Sequence, residues 1–149
     1  QINNFDLKLI KIYLANGQIP VVFGDAVLDD KWGCSILSGD VLATYLAKKL
    51  KADKTIFLSD VDGIYDCDPK KNPNAKLIKE INNSNIDLVL KGLSITGRAD
   101  VTGEMAGKIL EIKKKHLQNM AVHIVNGLVP GQLLRAAKQD PVGTRLLLH

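Results

Sequence analysis

The sequence predicts an α/β domain in three layers, helix, sheet, helix, with a mainly parallel sheet. Three observations point there. Short, β-branched apolar runs alternate with stretches whose apolar residues recur at helical spacing. Polar clusters fall directly after those runs, where the loops of a parallel sheet gather. The chain has 149 residues, 46% hydrophobic and 24% charged, which is the length and composition of one ordinary globular domain.

Phe5, Leu9 and Tyr13, with Leu7, Ile10 and Leu14, recur at helical spacing before Asn16-Gly17, which predicts a first helix and its stop. Ile19-Pro20-Val21-Val22-Phe23, closed by Gly24-Asp25, predicts a buried strand. Ala26-Val27-Leu28 and Cys34-Ser35-Ile36-Leu37 flank the polar Asp29-Asp30-Lys31-Trp32-Gly33. That pattern predicts a hairpin projecting near residues 25–38, with Cys34 packed in it and Trp32 either covering it or touching a ligand. Ser38-Gly39-Asp40 opens a helix with Leu42, Leu46 and Leu50 on one face, and Lys54-Thr55-Ile56-Phe57-Leu58-Ser59 predicts another buried strand. Strand, helix and strand in this order predict a parallel crossover. A polar loop over residues 60–75, a weak strand at 77–81, a short helix around 86–90 and a loop over 92–102 follow. Met105, Ile109, Ile112 and Leu117 mark the apolar face of the next helix. The remainder predicts a strand at 121–125, a turn at Asn126-Gly127, a helix entered at Pro130 and a last strand at 144–148. His123, inside an apolar strand, reads as a core residue.

Several function classes are excluded. No apolar run approaches the ~18 residues of a membrane helix. Lys and Arg exceed Asp and Glu by 20 to 16, yet acidic residues are interspersed, and one Trp, three Tyr and three Phe offer little for base stacking. Lys113-Lys114-Lys115 therefore reads as a solvated helix face, and the excess charge suits an anionic small substrate better than a nucleic acid. Cys34 and Cys67 are too few for a disulfide framework and show no metal-ligand spacing with His116, His123 and His149, so a reducing cytoplasm is expected. Gln1-Ile2-Asn3-Asn4 lacks an initiator Met and the order of a signal peptide, which leads us to expect further sequence upstream.

Three clusters can carry chemistry: Gly24-Asp25; Ser59-Asp60-Val61-Asp62-Gly63 with Tyr65-Asp66-Cys67-Asp68-Pro69; and Asp100-Val101-Thr102-Gly103-Glu104-Met105-Ala106-Gly107-Lys108. In the last, Thr102-Gly103 opens a helix whose free N–H groups can hold phosphate oxygens, with Lys108 about one turn along. A helix cap with a surface lysine explains the same residues. Asp60-Val61-Asp62-Gly63 is either a strand-end turn with positive φ at Gly63 or a carboxylate that aims a lysine at a transferring phosphoryl group. Neither a Gly-x-x-x-x-Gly-Lys-Ser/Thr loop nor a Gly-x-Gly-x-x-Gly fingerprint is present. Neither cysteine has a nearby His that would activate a thiolate.

Taken in order, the clusters resemble the amino acid kinase superfamily. Leu58-Ser59-Asp60-Val61-Asp62-Gly63-Ile64-Tyr65 with Asp68-Pro69 looks like its nucleotide loop, Asp100-Val101-Thr102-Gly103-x-Met105-x-x-Lys108 like its phosphate-binding helix start, and Gly143-Thr144 like the turn before its final strand. Within the superfamily, Pro20-Val21-Val22-x-Gly24-Asp25, the hairpin and Ile36-x-Ser38-Gly39-Asp40 are most similar to the isopentenyl phosphate kinases, and fosfomycin kinases share much of the pattern. The resemblance implies a carbamate kinase-like fold, with residues 1–149 as its C-terminal, nucleotide-binding half and the N-terminal, acceptor-binding half absent. It implies ATP as donor, Mg2+ arriving with the ATP phosphates and no metal site built from protein ligands. Isopentenyl phosphate is the expected acceptor. The alternatives are fosfomycin or another small acid, or a catalytically inactive nucleotide-binding module. No nucleic acid or membrane partner is implied, and a cytoplasmic homodimer is the form such kinases commonly take.

The resemblance also assigns roles. Asp60 would orient the catalytic lysines, and Lys108 would stabilise charge on the moving phosphoryl group. Tyr65 and Asp68 would contact the nucleoside, Asp62, Gly63 and Pro69 would shape the loop, and Ser59, Gly103, Glu104 and Met105 would complete the ATP site. Gly39 and Asp40 would border the acceptor phosphate. This sequence departs from the pattern at Glu104 and Gln139, which replace glycines, and at Phe23, where a polar residue is usual. A carboxylate at Glu104 would cost about 4 kcal/mol beside a phosphate charge ~4 Å away at an effective dielectric near 20.

Overall fold

The computed structural model describes residues 2, 5–95, 101–114, 120–138 and 140–148, with 94, 95, 101–104 and 114 described through their backbone alone. Helix α1 (Lys8–Ala15) comes first, then strands β1 (Asp25–Asp29) and β2 (Gly33–Leu37), helix α2 (Gly39–Leu50) and strand β3 (Lys54–Ser59). Strand β4 (Glu80–Asn82), helices α3 (Ile86–Ile95) and α4 (Val101–Lys114), strand β5 (Ala121–Asn126), helix α5 (Gln132–Ala137) and strand β6 (Thr144–Leu147) complete the chain.

The main sheet runs β3-β5-β6-β4. β3 pairs with β5 and β4 with β6 in parallel, while β5 and β6 are antiparallel. Alternation along the strands sends side chains to two faces. Phe57, Val122, Ile124 and Leu146 meet Ala47 of α2, Ile86 and Leu93 of α3, and Met105, Ile109 and Ile112 of α4 on one face. Val125, with Ile56, meets Ala136 of α5 and Val142 on the other. Helices on both faces of a mostly parallel sheet are the predicted α/β class.

Local chemistry accounts for the elements. Ser38 Oγ accepts from Val41 N at 3.3 Å and caps α2, and Lys51 ends that helix in the left-handed conformation at φ 54. α3 extends beyond the predicted 86–90, so the loop expected from Gly92 does not begin there. Burying Ile86 and Leu93 against α4 outweighs the roughly 1 kcal/mol a helical glycine costs. The strand expected at 77–81 is shorter and later, with only an isolated bridge between Tyr65 and Leu77 ahead of β4. The final strand stops one residue before the predicted end.

The largest departure is at residues 19–23, which make no strand, so the crossover through α2 to β3 does not form. Ile19 is 88% exposed, and Val21 and Phe23 are similarly open. An apolar run becomes a buried strand only where another strand pairs its N–H and C=O groups, and no described strand lies beside it. The same shortage of neighbours leaves α1 with Ile10 as its buried residue. The expected hairpin forms, with Asp25 opposite Leu37 and Asp29 opposite Gly33. Leu28 is 96% exposed and Cys34 is exposed too, contrary to its expected packing, because a two-stranded ribbon has no third layer to bury a side chain against. Asp100, His116, Leu117, Gln139 and His149 lie outside the described residues.

His123 lies in the core as predicted, 4% exposed. Its Nδ1 has no hydrogen-bond partner among the described residues, and burial, reinforced by Lys54 and Arg145, lowers its pKa below 6.5. The unfolded chain therefore binds the proton more readily than the folded one. Stability from the neutral ring is complete above the ordinary value of 6.5 and falls as pH drops through the folded value. Urea denaturation of the wild type between pH 8 and pH 5 is expected to show that loss, and His123→Phe to flatten it.

Thr144 is fully buried, and its Oγ1 accepts from Ile64 N at 2.7 Å and donates to Ile78 O at 2.6 Å. Thr144→Val strands the buried Ile64 N–H and the part-buried Ile78 carbonyl, so a loss of about 2 kcal/mol in urea denaturation is expected.

Candidate active site

β3 and β5 end level, with Ser59 opposite Asn126. Their following loops therefore emerge side by side at one edge of the sheet, where parallel strands place functional loops. Gly127 N donates to Ser59 O at 2.8 Å, which holds the two loop starts together.

The turn after β3 requires its glycine. Gly63 has φ +155, and a Cβ there would stand 2.6 Å from Thr144 Oγ1 and 2.9 Å from Thr144 N. Thr144 can approach that closely because Gly143 precedes it at φ +68, where a Cβ would collide with Ile124 O. The Asp-Gly turn and the Gly143-Thr144 turn, 80 residues apart at their Ile64–Thr144 hydrogen bond, are thus one packed unit.

Beside that unit opens a cleft of about 480 Å³ lined by Leu58, Ser59, Asp60, Met105, Lys108, Gly127 and Leu128. Four predicted site residues, Ser59, Asp60, Met105 and Lys108, meet on its wall. Lys108 projects from α4 with its side chain 10% exposed, and its Nζ lies 2.8 Å from Asp40 Oδ2 in the first turn of α2. Asp40 and Gly39, expected to border the acceptor, therefore adjoin the predicted catalytic lysine. Asp60 holds a different lysine, since Lys70 Nζ donates to its Oδ2 at 2.6 Å, with Ser59 Oγ 3.4 Å from Oδ1. The Lys70 hydrogen bond keeps the Asp60 carboxyl below its ordinary range and raises the Lys70 ammonium. The structure divides between Asp40 and Asp60 the lysine contacts that the sequence reading gave to Asp60 alone.

Asp62 stands behind this wall. Its Oδ1 accepts from Asn126 Nδ2 at 2.9 Å and its Oδ2 from Tyr65 OH at 3.3 Å. Burial, with the Asp62 charge, raises the Tyr65 phenol. Tyr65, Pro69, Gly63 and Met105 also line a smaller apolar cavity with Val61, Cys67 and Leu93. Asp68 is buried; its Oδ1 accepts from Lys70 N at 2.9 Å and its Oδ2 lies 3.5 Å from Lys71 Nζ. That places Asp68 under the loop as a brace for the backbone that presents Lys70. Gly103 lies in the first turn of α4, and the Glu104 side chain is outside the described set. Gly24-Asp25 stands at the hairpin base, away from the cleft lining.

Lys70, Asn126 and Leu128 went unnoticed in the sequence. A lysine in a polar loop and an Asn-Gly turn carry no spacing signal until folding sets them beside Asp60 and Asp62. The cleft offers one low-exposure ammonium on its wall and a second held by Asp60, a set suited to a polyanion.

The sequence model for the amino acid kinase family matches residues 1–126. The chain belongs to that family. It is 38% identical over 149 residues to the isopentenyl phosphate kinase of Methanothermobacter thermautotrophicus, covering 98% of this chain and 55% of that protein. With the isopentenyl phosphate kinase of Thermoplasma acidophilum it shares 35% identity over 142 residues, 94% of this chain and 55% of the relative. A crystal structure of isopentenyl phosphate kinase superposes with a TM-score of 0.76 at 33% identity, over 97% of this chain and 52% of that one. This family member spans about half the length of the curated relatives it matches.

Replacing Lys70 with Met is expected to return the Asp60 carboxyl pKa upward toward 3.8, read by carbon-detected NMR titration. The unfolding midpoint should barely move, because an exposed ion pair contributes little.

Proposed function

We propose that the full-length polypeptide is an ATP-dependent phosphotransferase that carries the γ-phosphoryl group of ATP to a phosphate oxygen of isopentenyl phosphate, yielding isopentenyl diphosphate and ADP. The observation that carries this reading is Lys108, a barely exposed ammonium on the cleft wall beside Asp40, in a family member most of whose length matches isopentenyl phosphate kinases.

Phosphoryl transfer asks a protein mainly for positioning and charge stabilisation. In this reading the cleft takes the ATP phosphates. Lys108 exchanges its Asp40 carboxylate for phosphoryl oxygens and stabilises the charge that spreads over them. Before the nucleotide binds, Asp40 holds that ammonium in place on the cleft wall. Lys70 at the rim neutralises further phosphate charge, steered by Asp60. Tyr65 and Pro69 offer an apolar wall to the nucleoside. Mg2+ would arrive with the nucleotide and would neutralise part of its phosphate charge, since it keeps several waters and asks few protein ligands. In this reading the full-length polypeptide works in the cytoplasm as a homodimer.

The test is the full-length polypeptide with ATP and isopentenyl phosphate, product read by phosphorus NMR. Wild type should form the diphosphate, and Lys108→Ala should lose about 10²-fold or more in kcat, the scale for removing one charge-stabilising donor. Turnover of fosfomycin or a carboxylate in place of isopentenyl phosphate would move the acceptor to the small-acid class. ATP binding without any turnover would make the protein a nucleotide-binding module.

A further inference from the structure

We infer that Asn126 is a positioning residue for the nucleotide, a side-chain strap that sets the width of the cleft by tying its two walls together. This rests on the kinase reading of the cleft.

Asn126 is the last residue of β5, level with Ser59 at the end of β3. Both ends of its side-chain amide are engaged. Nδ2 donates to Asp62 Oδ1 at 2.9 Å, and Oδ1 accepts from Leu128 N at 2.9 Å. The first bond reaches the loop that carries Ser59 and Asp60, and the second reaches the loop that carries Gly127 and Leu128. Those loops are the two walls of the cleft at the sheet edge. The amide's polarity is dictated by its neighbours, because a carboxylate needs a donor and an N–H needs an acceptor.

The geometry restricts the position chemically. Alanine removes both bonds. Aspartate keeps an acceptor for Leu128 N but sets a second carboxylate against Asp62. A longer side chain shifts the walls apart. Asp62 in turn takes the Tyr65 hydroxyl, so the strap extends to the residue lining the smaller apolar cavity. A strap that shapes the pocket without touching the reacting atoms should affect nucleotide affinity more than the chemical step.

The experiment is steady-state kinetics of the full-length polypeptide with ATP varied, together with amide hydrogen exchange at Leu128. Asn126→Ala is expected to raise KM for ATP about tenfold with kcat within about twofold, and to speed exchange at Leu128. Asn126→Asp should be worse. The double variant Asn126→Asp with Asp62→Asn exchanges donor and acceptor across the same contact while keeping an oxygen for the Tyr65 hydroxyl. It should recover most of the lost affinity and the Leu128 protection, a coupling that a double-mutant cycle reads directly. An unchanged KM in Asn126→Ala overturns the inference. So does a loss confined to kcat, or a double variant no better than Asn126→Asp, either of which would make the contact a generic fold bond. A wild type that binds no ATP overturns the kinase reading together with this role, and is told apart because no variant is needed to see it.

Discussion

The level parallel pairing of β3 with β5 is the constraint on which the site depends. Six residues of each strand run in register, from Lys54 opposite Ala121 to Ser59 opposite Asn126. Because both strands stop together, the Asp60 and Gly127 loops leave the sheet as neighbours. A one-residue slip would turn every side chain on one strand to the other face, putting Phe57 or Ile124 outside the core. Thr144 secures the arrangement from the adjacent strand, with one hydroxyl serving Ile64 and Ile78 at once.

On this frame the charged groups at the site are arranged in pairs. Asp40 at the start of α2 meets Lys108 in α4, and Asp60 after β3 meets Lys70 ten residues along its own loop. In the proposed reading the pairs serve an anion site in a specific way. A cation already desolvated and held in place needs less reorganisation when phosphate oxygens replace the carboxylate than a cation drawn from bulk water. The Asp40 pair is the more sheltered, with Lys108 10% exposed, while the Asp60 pair is open to solvent and to salt. In the proposed reaction the two lysines are therefore suited to different tasks, Lys108 at the reacting group and Lys70 at the rim.

Legibility followed the range of the interactions involved. The span of β3 was readable to the residue, since Thr55, Ile56, Phe57 and Leu58 are a β-branched and apolar run bounded by polar signals, but of the expected buried strand Phe57 alone is buried. The α2 cap at Ser38 and the positive φ at Gly63 were readable because they are local backbone chemistry. The strand at 19–23 has an equally apolar signal and does not form, because strands are stabilised across the sheet by other segments. α3 outran its local glycine for the converse reason, its outer turn being held by α4. Within the site, Ser59, Asp60, Met105 and Lys108 were nominated from their order along the chain. Which carboxylate holds which lysine was invisible, since that is set by the approach of α2 to α4.

The sequence by itself determined the α/β class, the helix and turn signals and the family, because these rest on periodicity, capping and motif order. Tertiary structure alone decided that Asp40 meets Lys108, that Asp60 meets Lys70, and that Asn126 joins two loops through Asp62. The same applies to the apolar run near residue 20, whose exposure depends on what lies beside it. The physical reason is common to all four. A backbone preference is a property of neighbouring residues in the chain, whereas a hydrogen bond, an ion pair or a buried face depends on which groups folding brings within ångströms of each other.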